Sequence, residues 1–176
     1  MLIPQIIPIV PPPPPTAKEL VFLNDYTTKS YTTRQKEGEF RITNSITKPR
    51  HVYVFFLENS KINSQTANPF QYNTFTLDGN KRLKRCYLKV KNDNYPTIHY
   101  NLPRDEIRLY QKVVGFNSVS LLNKNNFKDL YPFIYFDLSA LKEPEAKLSF
   151  YYELNNETTV DYTIYAIVLH EKSILT

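Results

Sequence analysis

The chain of 176 residues is 41% hydrophobic and 22% charged, enough apolar material for one buried core and too much for a disordered polymer. Its formal net charge of +5 fits a mildly basic, soluble surface, with contact to nucleic acid or another anionic surface as the alternative. One cysteine, three glycines and no apolar run of ~18 residues exclude an internal disulfide, a cysteine-built zinc site, a glycine-rich phosphate loop and a membrane-crossing helix.

The chain opens with an apolar segment interrupted by Pro4 and Pro8, then five prolines at positions 11–15. Such a run is stiff, extended and without backbone donors. Residues 1–17 therefore read as a Pro-rich linker or arm, with a ligand for a proline-recognising module as the alternative. Residues 18–176 read as one domain.

From Leu20 the pattern has a period of two. Leu20–Thr33 and Glu39–Thr43 read as strands, the second alternating polar and apolar. His51–Leu57 is a continuous β-branched and aromatic run, expected as a central strand covered on both faces. After a polar stretch at 58–73, Thr74–Leu77 and Arg85–Lys91 are expected to flank a turn at Asp78-Gly79-Asn80. In the latter strand Cys86, Leu88 and Val90 share one face, and Tyr87, Lys89 and Lys91 the other.

Residues 103–114 break the β pattern. Pro103 and the acids Asp105 and Glu106 suit a helix start, Ile107, Tyr110, Val113 and Val114 recur at helical spacing, and Gly115 suits a stop. Strands return at Tyr131–Leu138, Lys147–Leu154 and Val160–His170. About eight strands and one inserted helix predict an all-β fold, an antiparallel eight-stranded jelly-roll sandwich.

The chemistry-bearing residues form no recognisable catalytic, metal or cofactor constellation. His51, His99 and His170 have no short metal-ligand spacing, and the acids are scattered. A non-enzymatic protein is expected, without a cofactor. One basic cluster stands out, Lys81, Arg82, Lys84 and Arg85, with Lys89, Lys91, Tyr87 and Tyr95 nearby. Cations with interleaved rings can bind single-stranded nucleic acid. A solvated hairpin whose lysines protect an edge strand is the favoured reading.

Several blocks, in this order, resemble a known family: Lys48-Pro49-Arg50-His51-Val52-Tyr53-Val54-Phe55-Phe56, Asn68-Pro69-Phe70 with Asn73, Tyr131 through Ser139, Lys147-Leu148-Ser149-Phe150, and Tyr162 through Glu171. Together they resemble the C-terminal jelly roll of double jelly-roll, hexon-like major capsid proteins of the polinton (Maverick), adintovirus and virophage group. The resemblance implies a structural viral or virus-derived protein in the virion capsid, made in the host cytoplasm or nucleus. It implies a homotrimeric capsomer in an icosahedral lattice, with an upstream jelly roll or other capsid proteins as further partners. The family has two jelly rolls where this chain has one. The chain is therefore expected to be a domain of a longer protein, half of a split gene, or a single jelly-roll relative of penton or minor-capsid type. In that picture the loops 58–73 and 92–130 supply subunit contacts through the aromatics Phe70, Tyr72, Tyr95 and Tyr100, expected to be exposed. A non-enzymatic β-sandwich that binds carbohydrate or nucleic acid is the alternative, and a hydrolase is the least favoured reading.

Overall fold

The structure is a computed structural model that describes residues 20–62, 64, 74–75, 81–116, 123–129, 131–141 and 145–175. Among the described residues eight strands are present: β1 (Leu20–Thr33), β2 (Glu37–Thr47), β3 (Pro49–Glu58), β4 (Leu83–Val90), β5 (Asp93–Asn101), β6 (Ile134–Asp137), β7 (Glu145–Leu154) and β8 (Tyr162–Leu175). Three helices among the described residues interrupt them: α1 (Asn59–Ile62), α2 (Glu106–Phe116) and α3 (Lys124–Asp129).

The strands make two antiparallel sheets, ordered β1-β8-β3-β6 and β2-β7-β4-β5. The pairing is nested: β1 with β8, β2 with β7, β3 with β6 and β4 with β5. Alternation explains why the sheets stack. Val52, Val54 and Phe56 of β3 and Ile164, Ala166 and Val168 of β8 are fully buried from one sheet. Ile42, Cys86, Leu88, Leu148, Phe150 and Tyr152 are buried from the other. These inward rows form one apolar core, the all-β antiparallel sandwich that the period of two predicts.

The strand inventory differs from the expectation in one place. Thr74 and Phe75 lie in bends, and the rest of the expected Thr74–Leu77 strand and its Asp78-Gly79 turn lie outside the described residues. The missing partner is β5, within a stretch read as loop. It pairs with β4 after a two-residue connection at Lys91-Asn92, where Lys91 adopts a left-handed φ of 58°. Pro96 is tolerated because β5 is an edge strand with an irregular register against β4.

The single expected helix at 103–114 is also corrected. Helix α2 begins at Glu106, three residues later, and runs past Gly115. Pro103 instead occupies the preceding turn after a cis peptide bond. The buried stripe is Leu109 and Val113, whereas Ile107 is 50% exposed. The Asp105 carboxylate accepts the Asn101 backbone N–H at 2.7 Å, and its carbonyl accepts that of Leu109 at 2.9 Å. Asp105→Ala leaves the Asn101 donor unmatched and is expected to cost about 1 kcal/mol, read from urea unfolding.

Helices α2 and α3 close the side of the sandwich where the edge strands β5 and β6 meet. Phe127 of α3 is 1% exposed and packs against Tyr110 of α2 and Phe133, with ring centroids 5.7 and 5.5 Å away. Tyr100 donates to the Tyr135 carbonyl at 3.4 Å, and Tyr95 donates to the Asp137 carbonyl. Side chains of β5 therefore tie the two sheets together.

Candidate functional site

A sandwich buries one face of each sheet and presents the other. The two presented faces here differ in chemistry.

On the first sheet the outward positions line up in cross-strand rows. Tyr26 lies opposite Leu169, which lies opposite His51. The next rows are Thr28, Ile167, Tyr53 and Tyr135, then Ser30, Tyr165 and Phe55. Phe55 stacks on Tyr165 with ring centroids 5.2 Å apart. Tyr53 lies 5.2 Å from Tyr135 and 5.7 Å from Phe133. Most of these side chains are half-buried, and Tyr26 is 69% exposed. Among the described residues this face is mainly aromatic and aliphatic, with Asp137 opposite His51 and further charge at its end. There Glu171 accepts Arg50 at 2.7 Å and lies 3.4 Å from Lys48. Strand β3 is thus interior to its sheet, but its outward residues are only partly covered.

The outer face of the second sheet is polar and graded. Its first row is Glu37, Glu153 and Arg85, its second Glu39, Tyr151 and Tyr87, its third Arg41, Ser149 and Lys89. The middle row is a ring ladder. Tyr151 stacks on Tyr87 at 4.7 Å, and Tyr87 stacks on His99 at 4.1 Å, with interplanar angles of 18° in both pairs. Beyond the third row, Lys91 and Lys147 are joined by the backbone bond from Lys91 N to Lys147 O at 2.8 Å. A recess of about 320 Å³ lies there, lined by Arg41, Lys89, Lys91, Asn92, Lys147 and the Glu39–Ser149 side.

The sequence-derived basic cluster falls at the acidic end of this gradient. Lys84 and Arg85 both pair with Glu153, at 2.6 and 3.0 Å. The Lys84 hydrogen bond, opposed by burial, holds the Glu153 carboxyl below its usual range. Arg82 is exposed, and its backbone N–H is taken by the Asn155 side chain at 2.8 Å. Lys81 is half-buried at an isolated bridge.

Among the aromatics expected in subunit contacts, Tyr100 is fully buried and Tyr95 half-buried. The expected exposure is wrong for Tyr100, because its ring fills the gap between β5 and β6 against Phe136. Phe70 and Tyr72 lie outside the described residues.

The histidines are dispersed. His51 Nδ1 lies 2.9 Å from the Tyr135 hydroxyl, His170 Nε2 lies 3.2 Å from Thr27 Oγ1, and His99 ends the ring ladder. Among the described residues no group of three or more His, Cys, Asp or Glu could hold a metal ion, and no helix is long and apolar enough to cross a membrane.

Burial depresses the His51 and His99 pKa values. At His51 the Asp137 charge opposes this effect and Arg50 assists it; at His99 Arg85 assists it. Folding thus favours the neutral rings. Their contribution is complete above the unfolded pKa of about 6.5 and is lost as pH falls through the lower folded values. Glu153 and Asp137 act in a lower window. Burial pushes Asp137 up, but the hydrogen bonds from Ser139 together with the His51 and Lys112 charges outweigh it. Both carboxylates stabilise the fold above their unfolded pKa, near 4, and lose that contribution as pH falls through their depressed values. Urea unfolding is therefore expected to show two declines on acidification. The upper one, below about 1 kcal/mol after solvent screening, should shrink in His99→Gln.

Comparison with protein-family models and with curated proteins finds no match to this chain.

Proposed function

We propose that this chain is a structural shell-building protein, one jelly roll of a trimeric capsid unit. The observation that carries the reading is the apolar outer face of the first sheet, from Tyr26 through Leu169, Ile167 and Tyr165 to Phe55 and Tyr53. A contiguous apolar surface on an otherwise charged protein marks a place where another protein packs. The nested pairing supports the same reading, because rolling up a ribbon of four antiparallel strand pairs produces a jelly roll. Upright sandwiches packed side by side make rigid walls, and closed symmetric assemblies reuse one patch on every copy. Residence in a virion capsid follows from this role.

The test is size-exclusion chromatography with light scattering, followed by electron microscopy of the peak. Trimers or larger ordered assemblies are expected. Ile167→Asp together with Tyr26→Asp should yield a folded monomer, since both positions point away from the core. A native protein that remains monomeric at high concentration would overturn the reading.

A further inference from the structure

We propose that the outer face of the second sheet binds single-stranded nucleic acid, seating a phosphate in the Arg41–Lys91–Lys147 recess and continuing the ring ladder with a base at His99. The recess draws its cations from elements far apart in the chain: Arg41 from β2, Lys89 from the end of β4, Lys91 from the β4–β5 connection and Lys147 from β7. Two adjoining hollows add Lys29 and Glu145. Among the described residues five cations therefore stand near two carboxylates, Lys91 having a further interaction of its own. Each carboxylate has its own partner: Glu39 is held by Lys89, and Glu145 accepts the Ser45 hydroxyl at 3.1 Å. Arg41 and Lys147 carry the positive surplus, and Asn92 adds a neutral donor beside them. Such a concave cationic site suits a phosphodiester.

The ring ladder separates nucleic acid from other polyanions. Tyr151, Tyr87 and His99 stand one row from the recess and cross β7, β4 and β5. From β2 to β5 is three strand spacings, about 14 Å, a span that a few nucleotides cover. Among the described residues the stacked faces are occupied by one another except at the end of the row, so an incoming base extends the stack at His99. Burial, assisted by the Arg85 charge, lowers the pKa of that imidazole. Phosphate contacts supply affinity, and ring stacking supplies the preference for bases.

This inference does not rest on the shell reading, since the face lies on the sheet opposite the apolar one. Fluorescence anisotropy of a labelled twelve-nucleotide oligo-dT, from 50 to 300 mM NaCl, tests it. Binding is expected, with affinity falling steeply with salt. Arg41→Ala/Lys147→Ala should weaken binding at least tenfold and flatten the log–log salt slope by about 0.7, the share of the one phosphate seated there. Tyr87→Leu and His99→Leu should each weaken it several-fold at an unchanged slope. Lys81→Ala/Arg82→Ala should leave it unchanged. Circular dichroism and thermal melting confirm that each variant is folded, and His99 on the edge strand serves if Tyr87→Leu is not. Native-like binding by the Arg41/Lys147 variant would overturn the site. Ring variants that leave oligo-dT and heparin binding equal to each other and to native would overturn the nucleic-acid assignment.

Discussion

Phe150→Ala is expected to lower the unfolding free energy by about 3–5 kcal/mol, seen as a large fall in the urea midpoint. Phe150 is fully buried on β7. Its ring meets Phe40 and Phe56 edge-on at 6.3 Å, Phe136 at 6.2 Å, and runs nearly parallel to Tyr152 at 6.5 Å. Phe40 and Tyr152 belong to its own sheet, Phe56 and Phe136 to the opposite one. Truncation therefore removes an aromatic bridge between the layers and leaves a cavity lined by rigid rings. Rings fixed on strands of two sheets collapse poorly into such a space, which places the cost toward the upper end. Phe150→Leu should recover a large part of the loss, because much of the volume returns.

Gly38→Ala is expected to cost about 1–3 kcal/mol. A methyl group at Gly38 would lie 2.9 Å from the Tyr152 hydroxyl oxygen and 3.2 Å from two atoms of its ring. Tyr152 is fully buried, so the ring cannot swing into solvent and must press on the core. Here glycine is needed for space. Tyr152→Phe removes the nearest atom, so the double variant Gly38→Ala/Tyr152→Phe should lose less than the sum of the two single changes. Strict additivity in thermal or urea unfolding would show that the steric account is wrong.

Strand parity is where the sequence speaks most clearly. In β4 the inward set Cys86, Leu88 and Val90 and the outward set Tyr87 and Lys89 can be read directly, because side chains alternate whatever the neighbouring strand is. The same holds for Tyr162, Ile164, Ala166 and Val168 on β8. Edge strand β5 escapes this logic. It begins with Asp93-Asn94 and contains Pro96, turn chemistry that an edge position tolerates and a central strand does not. Its tyrosines then look like loop aromatics, although Tyr100 fills the seam between sheets. The start of α2 is displaced for a local reason: Pro103 serves the turn, and Asp105 binds back to Asn101.

The basic recess was half legible. Arg41, Lys89 and Lys147 each sit at an outward position of a readable strand, so their exposure follows from parity. Their convergence follows only from the order β2-β7-β4, which no local pattern encodes. The compact run Lys81–Arg85 stands out in the sequence because it is contiguous. In space Lys84 and Arg85 share Glu153, a residue about 70 positions away that only the β4–β7 ladder brings to them.

The pairing of β1 with β8 reaches from Leu20↔Leu175 to Thr33↔Tyr162. The outermost pair places positions 20 and 175 about 5 Å apart, side by side at one corner. Whatever precedes the first and whatever follows the second leaves from the same pole of the molecule. A short linker joining positions 20 and 175 across that corner would suffice for circular permutation of the sandwich.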